Sequence, residues 1–160
     1  MGCGSGILGI IAGIKGAKEI TFIDMSQAAI ENTKENVERF NLENKSFIFN
    51  SNLFDKVEKK ADLIIFDHTF FLDYIIEDLL LEKPKFEKAK LIHRFLEKAK
   101  NYLAKNGVII MPYLHLAGKK NNPGIQAIAY SYLVEEVLKA NINITQGKTG
   151  QMSIYRISIK

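Results

Sequence analysis

Short apolar runs alternate along the chain with segments whose apolar residues recur at helical spacing. The runs are rich in β-branched and aromatic residues and are bounded by polar residues or glycine: Glu19–Asp24, Lys45–Asn50, Ala61–Asp67 and Gly107–Pro112. Runs of this kind predict buried strands. Their alternation with helical segments is typical of an α/β domain with a mainly parallel sheet.

Helices are predicted between these strands. The segment Ser26–Phe40 begins with a serine that can cap a helix and carries apolar residues along one helical face. The segment Ile7–Ile14, which follows a cluster of glycines, is also predicted to be helical. Further on, Pro84 divides a long stretch into one helix at about Leu72–Leu81 and a second at about Phe86–Leu103.

The C-terminal part has a different order of elements. A helix is predicted over Ile125–Leu138, followed by two short strands, Ile142–Thr145 and Ser153–Ile159, that are joined by Gly147 and Gly150. A parallel return would need a crossover of about a dozen residues or more. The two strands are therefore predicted to form an antiparallel hairpin.

Composition narrows the class of protein. The chain has 160 residues, of which 47% are hydrophobic and 25% charged, as in ordinary globular domains. Cys3 is the sole cysteine, so no internal disulfide can form. No apolar run approaches the ~18–20 residues that span a bilayer, and no secretory signal is recognisable. We expect a single domain over residues 1–160, in the cytoplasm and without membrane contact.

The charge balance adds little. There are 22 Lys and Arg residues against 18 Asp and Glu residues, a net charge of +4. The lysines are interpreted as spread over the chain, which favours solvated helix faces over a nucleic-acid surface. An anionic partner is weakly permitted.

The first residues carry the most informative motif. Gly2, Gly4 and Gly6 alternate directly before the predicted helix Ile7–Ile14. Glycines let the backbone turn sharply and approach a ligand closely, and the free N–H groups at the start of the helix would face that ligand. The alternative is a tight strand–helix turn in which the glycines serve packing alone.

Asp24 strengthens the ligand hypothesis. It ends the next predicted strand, about twenty residues after the glycines, where a carboxylate can accept hydrogen bonds from two ribose hydroxyls. Together the glycines and Asp24 predict an adenosine-type ligand. Alternatively, Asp24 assists Ser26 at the start of the following helix.

The stretch from Gly2 to Leu42 resembles the first cofactor motif, first helix and second strand of the class I S-adenosylmethionine-dependent methyltransferases. It is most similar to the group that methylates ribosomal proteins, ribosomal RNA and release factors. The resemblance implies S-adenosyl-L-methionine as cofactor, and it implies a Rossmann-like doubly wound sheet of order 3-2-1-4-5-7-6 with an antiparallel last strand. No metal site is expected. The implied cofactor-binding residues in this region are Gly2, Cys3, Gly4, Ser5, Gly6, Asp24 and Met25.

A second part of the resemblance lies at Asn52 and Leu53, which look like the Asp-Leu-Phe loop that contacts the adenine in this family. Asn52 stands where Asp is usual, and its amide oxygen can still accept a hydrogen bond from the adenine amino group. The alternative is that Asn52 only shapes a turn before Leu53, whose side chain enters the core.

The segment Asp67–Phe71 stands where family members that methylate an amide or a base amine carry Asn/Asp-Pro-Pro-Tyr/Phe. Asp67 and Phe70 are kept, while His68 and Thr69 replace the two prolines. Asp67 and His68 are therefore the candidate catalytic residues, with the His68 imidazole as a possible base. The alternative is a capped strand end at Asp67 and a polar rim residue at His68.

Two further candidates follow the strand that ends at Pro112. Tyr113 and His115 lie on the side of the sheet where a substrate is expected, and either can contact it. Polar loop residues are common, so the alternative is that neither has a direct role.

The resemblance implies methyl transfer from S-adenosylmethionine to an acceptor that the sequence does not identify: a protein, an RNA or a small molecule. The alternatives are a catalytically inactive cofactor-binding or interaction module and, from a third class, a nicotinamide-linked oxidoreductase. The latter is disfavoured because its loop has the spacing GxGxxG rather than GxGxG.

The family has one more strand, which precedes the glycine loop and ends in an acidic residue. Here Met1 stands next to Gly2, so we expect this first strand to be missing from the chain. It is the central strand of the implied order, and its absence would leave two strand edges open.

Overall fold

A computed structural model describes residues 1–68, 88–145 and 148–160. They form two compact units, Met1–Lys59 and Lys60–Lys160. That the whole chain acts as one domain stays a prediction. The helix predicted at about Leu72–Leu81, the start of the one predicted at about Phe86–Leu103, and Gly147 lie outside the described residues.

The first unit confirms the predicted order of helices and strands. Its elements are α1 (Ile7–Ile14), β1 (Ile20–Asp24), α2 (Gln27–Arg39), a 3₁₀ turn (Glu43–Lys45) and β2 (Ser46–Asn50). Strands β1 and β2 pair in parallel.

Helix α2 begins where the serine predicts it. The Ser26 hydroxyl oxygen accepts a hydrogen bond from the Ala29 N–H at 3.3 Å, which satisfies one of the free donors of the first turn. Ile30, Thr33 and Val37 are buried on one face. Phe40, which was predicted to extend this face, follows the helix and is 45% exposed.

Helix α1 packs closely on β1 because glycines face the strand. A Cβ at Gly9 would lie 2.3 Å from Cε1 of Phe22, and one at Gly13 would lie 2.6 Å from Cδ1 of Ile20. The core of this unit consists of Ile10, Ile20, Phe22, Val37 and Leu42.

The second unit contains a four-stranded sheet of order β3-β4-β6-β5. Its elements are β3 (Ala61–Ile65), α3 (Lys88–Ala99), β4 (Leu103–Leu114), α4 (Pro123–Ala129), β5 (Tyr132–Thr145) and β6 (Lys148–Ile159). Short 3₁₀ turns lie at Lys100–Tyr102, His115–Ala117 and Lys119–Asn121. No helix among the described residues is long and apolar enough to cross a membrane.

The pairing directions confirm the fold class. Strand β3 is parallel to β4, and β6 is antiparallel to both β4 and β5. The two sheets, β2-β1 and β3-β4-β6-β5, have the neighbours that the order 3-2-1-4-5-7-6 contains on either side of its strand 1. The chain is thus an α/β protein with the strand neighbours of a Rossmann-like methyltransferase.

The predicted helix Ile125–Leu138 is wrong from Tyr130 onward. The Asn122 side chain accepts hydrogen bonds from the N–H groups of Gly124 and Ile125, which starts α4 earlier. The helix ends before Ser131, whose φ of 61° lies in the left-handed region. From Tyr132 onward the chain pairs with β6, and this long-range ladder overrides the local helical spacing.

The predicted antiparallel hairpin is confirmed, but its strands are longer than the sequence suggests. Strand β5 already begins at Tyr132, and β6 begins at Lys148. Gly150, which was predicted to lie in the connection, is inside β6 opposite Ile142.

Candidate functional site

The glycine loop adopts a backbone conformation that favours glycine. Gly2, Gly4 and Gly6 have φ angles of 59°, 54° and 81°. A Cβ at Gly6 would lie 3.1 Å from Cγ2 of Thr33, so close packing accounts for this glycine. A Cβ at Gly4 would meet none of the described atoms within 4 Å. Close packing therefore explains the glycine at Gly6. It does not explain the glycine at Gly4, beside which the space is open.

Helix α2 fixes the backbone of this loop. The Thr33 hydroxyl donates to the Gly4 carbonyl at 3.0 Å, and the Asn36 amide donates to the Ser5 carbonyl at 2.9 Å. Sequence reasoning missed both roles, because Thr33 and Asn36 stand about thirty residues away and carry no local signal beyond their place on α2.

Cys3 is held in the same network. Its Sγ lies 3.3 Å from the Thr33 hydroxyl oxygen, and its N–H donates to the Ile23 carbonyl at 3.0 Å. Partial burial raises the pKa of the Cys3 thiol, so the thiol remains protonated near neutral pH. Cys3 thus supports the loop and is not prepared to act as a nucleophile.

The start of α1 faces this loop. Gly6 precedes the helix, and no side chain among the described residues caps it. The first N–H groups of an α-helix have no partner within the helix and carry partial positive charge. The first turn of α1 therefore offers backbone donors to a ligand, whereas the N–H groups of Cys3, Gly4 and Gly6 already donate within the protein.

Asp24 joins the glycine loop to the next helix. Its Oδ2 accepts from the Gly4 N–H at 3.0 Å, and its Oδ1 accepts from the Ser26 N–H at 2.9 Å. The alternative, in which Asp24 assists the start of α2, is thereby confirmed. A carboxylate has about four acceptor positions, so each oxygen can accept a further hydrogen bond. Ribose binding by Asp24 stays a prediction.

Met25 follows Asp24 at the end of β1 and is 67% exposed. Its carbonyl accepts a hydrogen bond from the Asn50 amide at 2.9 Å. Asn50, which sequence analysis did not single out, therefore holds the end of β1 against the end of β2.

Asn52 and Leu53 form the turn that follows β2. Leu53 has a φ of 50° and a side chain that is 5% exposed. The turn alternative, with Leu53 entering the core, is confirmed. Contact between Asn52 and an adenine stays a prediction.

Asp67 and His68 lie in the second unit, directly after β3. The Phe66 N–H donates to the Ile110 carbonyl at 3.0 Å and continues the pairing of β3 with β4 up to the candidate residues. Asp67 is exposed, yet partial desolvation of its carboxyl raises its pKa. Thr69 and Phe70 of the same motif lie outside the described residues.

His68 is buried, with only 5% of its surface exposed, so the alternative of a rim residue is wrong. Its ring lies 5.8 Å from that of Phe66. Burial lowers the pKa of His68 to about 4 and outweighs the interactions with the backbone of Phe66 and Asn121, which act in the opposite direction. At neutral pH the imidazole is uncharged, and it is a weak base.

His115 belongs to a chain of polar side chains that the sequence does not indicate, and Tyr113 lies beside it. The His115 Nε2 lies 2.7 Å from Oγ of the buried Ser153, which donates in turn to Glu136 at 2.5 Å. Since Ser153 uses its proton toward Glu136, the His115 Nε2–H is the donor to Ser153. Tyr113 is buried with its ring 4.8 Å from that of His115. A direct substrate contact by His115 or Tyr113 stays a prediction.

The sequence and the structure are similar to known methyltransferases. The family model described as "Methyltransferase small domain" matches residues 1–121. The ribosomal protein L11 methyltransferase of Thermoanaerobacter pseudethanolicus is 40% identical over 88 residues, which is 55% of this chain and 27% of that protein. A putative protein N5-glutamine methyltransferase of Methanocaldococcus jannaschii is 34% identical over 127 residues, 75% of this chain and 62% of that protein.

Among solved structures, the ribosomal protein L11 methylase of Lactobacillus delbrueckii subsp. bulgaricus superposes with a TM-score of 0.70 at 19% identity. The match covers 99% of this chain and 68% of that one. At this identity the likeness concerns the fold. The chain spans less than two thirds of either sequence relative named above.

Proposed function

This chain belongs to the methyltransferase small domain family, whose members use S-adenosylmethionine as methyl donor, and we propose that it binds this cofactor and takes part in transfer of its methyl group. The cofactor would be bound by the unit Met1–Lys59. The acceptor would be held by the unit Lys60–Lys160.

The observation that carries the proposal is the contact between the glycine loop and Asp24. The Gly4 N–H reaches the Asp24 carboxylate at 3.0 Å, while the position of a Cβ on Gly4 is open. The φ of 54° already favours a glycine at this position, and the open space beside it leaves room for a ligand against the backbone. The carboxylate at the end of β1 stands beside this open space, as a ribose-binding group must.

The residues of the first unit have distinct roles in this proposal. Asp24 accepts hydrogen bonds from the ribose hydroxyls, and Asn52 accepts one from the adenine amino group. The backbone of Gly2–Gly6 and the first N–H groups of α1 face the methionine part. Thr33 and Asn36 hold that backbone in place, which limits the reorganisation needed for binding.

Bound S-adenosylmethionine supplies a methyl group that is activated by its sulfonium. The chain therefore has mainly to bind, align and desolvate the acceptor. Asp67 is exposed at the end of β3, so we assign it the polar contact with the acceptor. We assign His68 a role in shaping this segment rather than in removing a proton. Its pKa of about 4 makes the buried imidazole a weak base at neutral pH.

The relatives suggest two kinds of acceptor. The names of two of them specify a ribosomal protein and a protein glutamine side chain. Another similar structure is a tRNA m1G37 methyltransferase. The names of these relatives therefore leave both a protein and an RNA as candidate acceptors.

A second candidate function is cofactor binding without transfer. It is favoured by His68, which is buried here and stands where the resemblance places the first proline of the acceptor-binding motif. Transfer of labelled methyl from S-adenosylmethionine to a cell extract distinguishes the two functions, since only the first predicts labelled product.

Calorimetry with S-adenosylmethionine tests the cofactor site. Asp24→Ala should lower the affinity at least 10-fold, because a hydrogen bond to a charged group contributes about 1.5–3 kcal/mol. Glu35→Ala, at an exposed position of α2, is the matched control and should bind as the parent does.

Asp24 also bonds to Gly4 and Ser26, so Asp24→Asn is needed beside the alanine variant. If circular dichroism shows both variants folded, undiminished affinity in both would exclude the assignment of Asp24 to the ribose.

A further inference from the structure

The excess of basic over acidic residues is concentrated in residues 88–120. Residues 88–120 contain eight Lys and Arg residues and one acid, Glu97, whereas the rest of the chain contains 14 basic and 17 acidic residues. The lysines are spread over the chain as interpreted above, but the excess of basic over acidic residues is not. The excess charge belongs to α3, β4 and the turns that follow them.

Helix α3 presents this charge on one face. Ile92, Phe95, Leu96 and Ala99 are fully buried on the opposite face. Lys90, Arg94 and Lys98 follow one another at four-residue spacing, so they form a single stripe. Because the apolar face of α3 is already buried in the core, the helix has no apolar face left with which to enter a membrane.

The turn Lys119–Asn121 extends the charged stripe. It packs against α3 and carries two exposed lysines, Lys119 and Lys120. We call Lys90, Arg94, Lys98, Lys119 and Lys120 the α3 basic surface. At the end of the same turn, the backbone of Asn121 interacts with His68. The α3 basic surface therefore reaches the segment to which acceptor binding is assigned.

An aromatic pair accompanies the charged residues. The rings of His93, on α3, and Tyr130, after α4, lie 5.8 Å apart, and neither residue is buried. Unstacked bases of RNA pack on aromatic and histidine rings, while lysine and arginine contact the phosphates. An acidic protein segment would match the lysines and leave the rings without a role.

We propose that the α3 basic surface binds single-stranded RNA and directs it toward Asp67. This proposal rests on the proposed function and adds to it the class of the acceptor. Phosphates lie along Lys90, Arg94, Lys119 and Lys120, and a base stacks on the pair of His93 and Tyr130.

Fluorescence anisotropy with a labelled oligouridine tests the proposal on the full chain. The test variant carries Lys90→Gln, Lys119→Gln and Lys120→Gln. The matched control carries Lys60→Gln, Lys105→Gln and Lys160→Gln, which removes the same charge from exposed lysines. These three stand at the opposite ends of β3, β4 and β6 from the candidate acceptor segment.

Each phosphate contact on a single strand contributes a slope of about −0.7 to log K against log salt concentration. Because the test variant loses three contacts, its slope should be smaller in magnitude than that of the parent by about 2. Between about 50 and 200 mM salt, the parent should then lose about 20-fold more affinity than the test variant. The control variant should keep nearly the slope of the parent.

Two results would overturn the inference: equal RNA affinity and slope in the test and control variants, or equal binding of the parent to oligouridine and to polyglutamate of the same charge. The second result would mean that charge alone is recognised. Calorimetry with S-adenosylmethionine on the same preparations keeps the hypotheses apart. Cofactor binding without RNA binding rejects the RNA surface alone, and RNA binding without cofactor binding rejects the proposed function alone.

Discussion

At the scale of single residues, burial changes what a side chain can do. His68 was a candidate base because an imidazole ordinarily titrates near neutral pH. Because His68 is buried just after the end of β3, its ring is shielded from solvent and the charged form is disfavoured. The ring is therefore neutral well below pH 7. The sequence shows the histidine, but its pKa depends on neighbours from other elements, which the sequence does not show.

The buried imidazole makes stability depend on pH. The pKa of His68 is about 4 in the folded chain and 6.5 without burial. Between these values the unfolded chain binds more protons, so stability rises with pH across this window and is lost as pH falls. The loss by pH 4 should amount to about 3 kcal/mol from His68.

Urea denaturation at several pH values between about 4 and 7 measures this contribution. His68→Gln should flatten the dependence of the free energy of unfolding on pH, while Asn101→Gln, at an exposed position without a titratable group, should leave it as in the parent. A parent curve and a His68→Gln curve of the same shape would show that His68 is protonated normally.

At the scale of elements, local signals predict the first unit well. The serine cap of α2, the glycines before α1 and the two β-rich runs each agree with the packing that the structure shows. Prediction fails at β5, where local spacing favours a helix and pairing with β6 decides otherwise. It also fails for Thr33 and Asn36, whose contacts with the loop join parts of the chain that are distant in sequence.

The packing of α1 on β1 separates two kinds of glycine. Gly9→Ala would bring a Cβ within 2.3 Å of Phe22, and such overpacking should cost about 1–3 kcal/mol of stability. Gly4→Ala meets open space but keeps a φ of 54°, which should cost about 1–2 kcal/mol.

The two variants should differ more in binding than in stability. Gly4→Ala should lower the affinity for S-adenosylmethionine at least 10-fold, because its methyl group would occupy the space assigned to the ligand. Gly9→Ala, measured where it is fully folded, should bind as the parent does. Calorimetry and thermal unfolding check both, and normal cofactor affinity in Gly4→Ala would contradict the assigned site.

At the scale of the whole molecule, the two units differ in charge as well as in content. Met1–Lys59 has seven basic and eight acidic residues, while Lys60–Lys160 has 15 basic and ten acidic residues. The near-neutral unit contains the glycine loop and Asp24. The basic unit contains Asp67 and the α3 basic surface. This division agrees with the proposal that one unit binds the cofactor and the other an anionic acceptor.

Hydrogen exchange of backbone amides tests this division. S-adenosylmethionine should slow exchange in peptides that cover Gly2–Ile10, because it would cover the loop and accept hydrogen bonds from the first turn of α1. Oligouridine should slow exchange in Lys88–Ala99 and Lys119–Asn121. Asp24→Ala should abolish the first effect and keep the second, and the triple lysine variant should do the reverse. If both ligands protected the same segment of one unit, the assignment of cofactor and acceptor to separate units would be rejected.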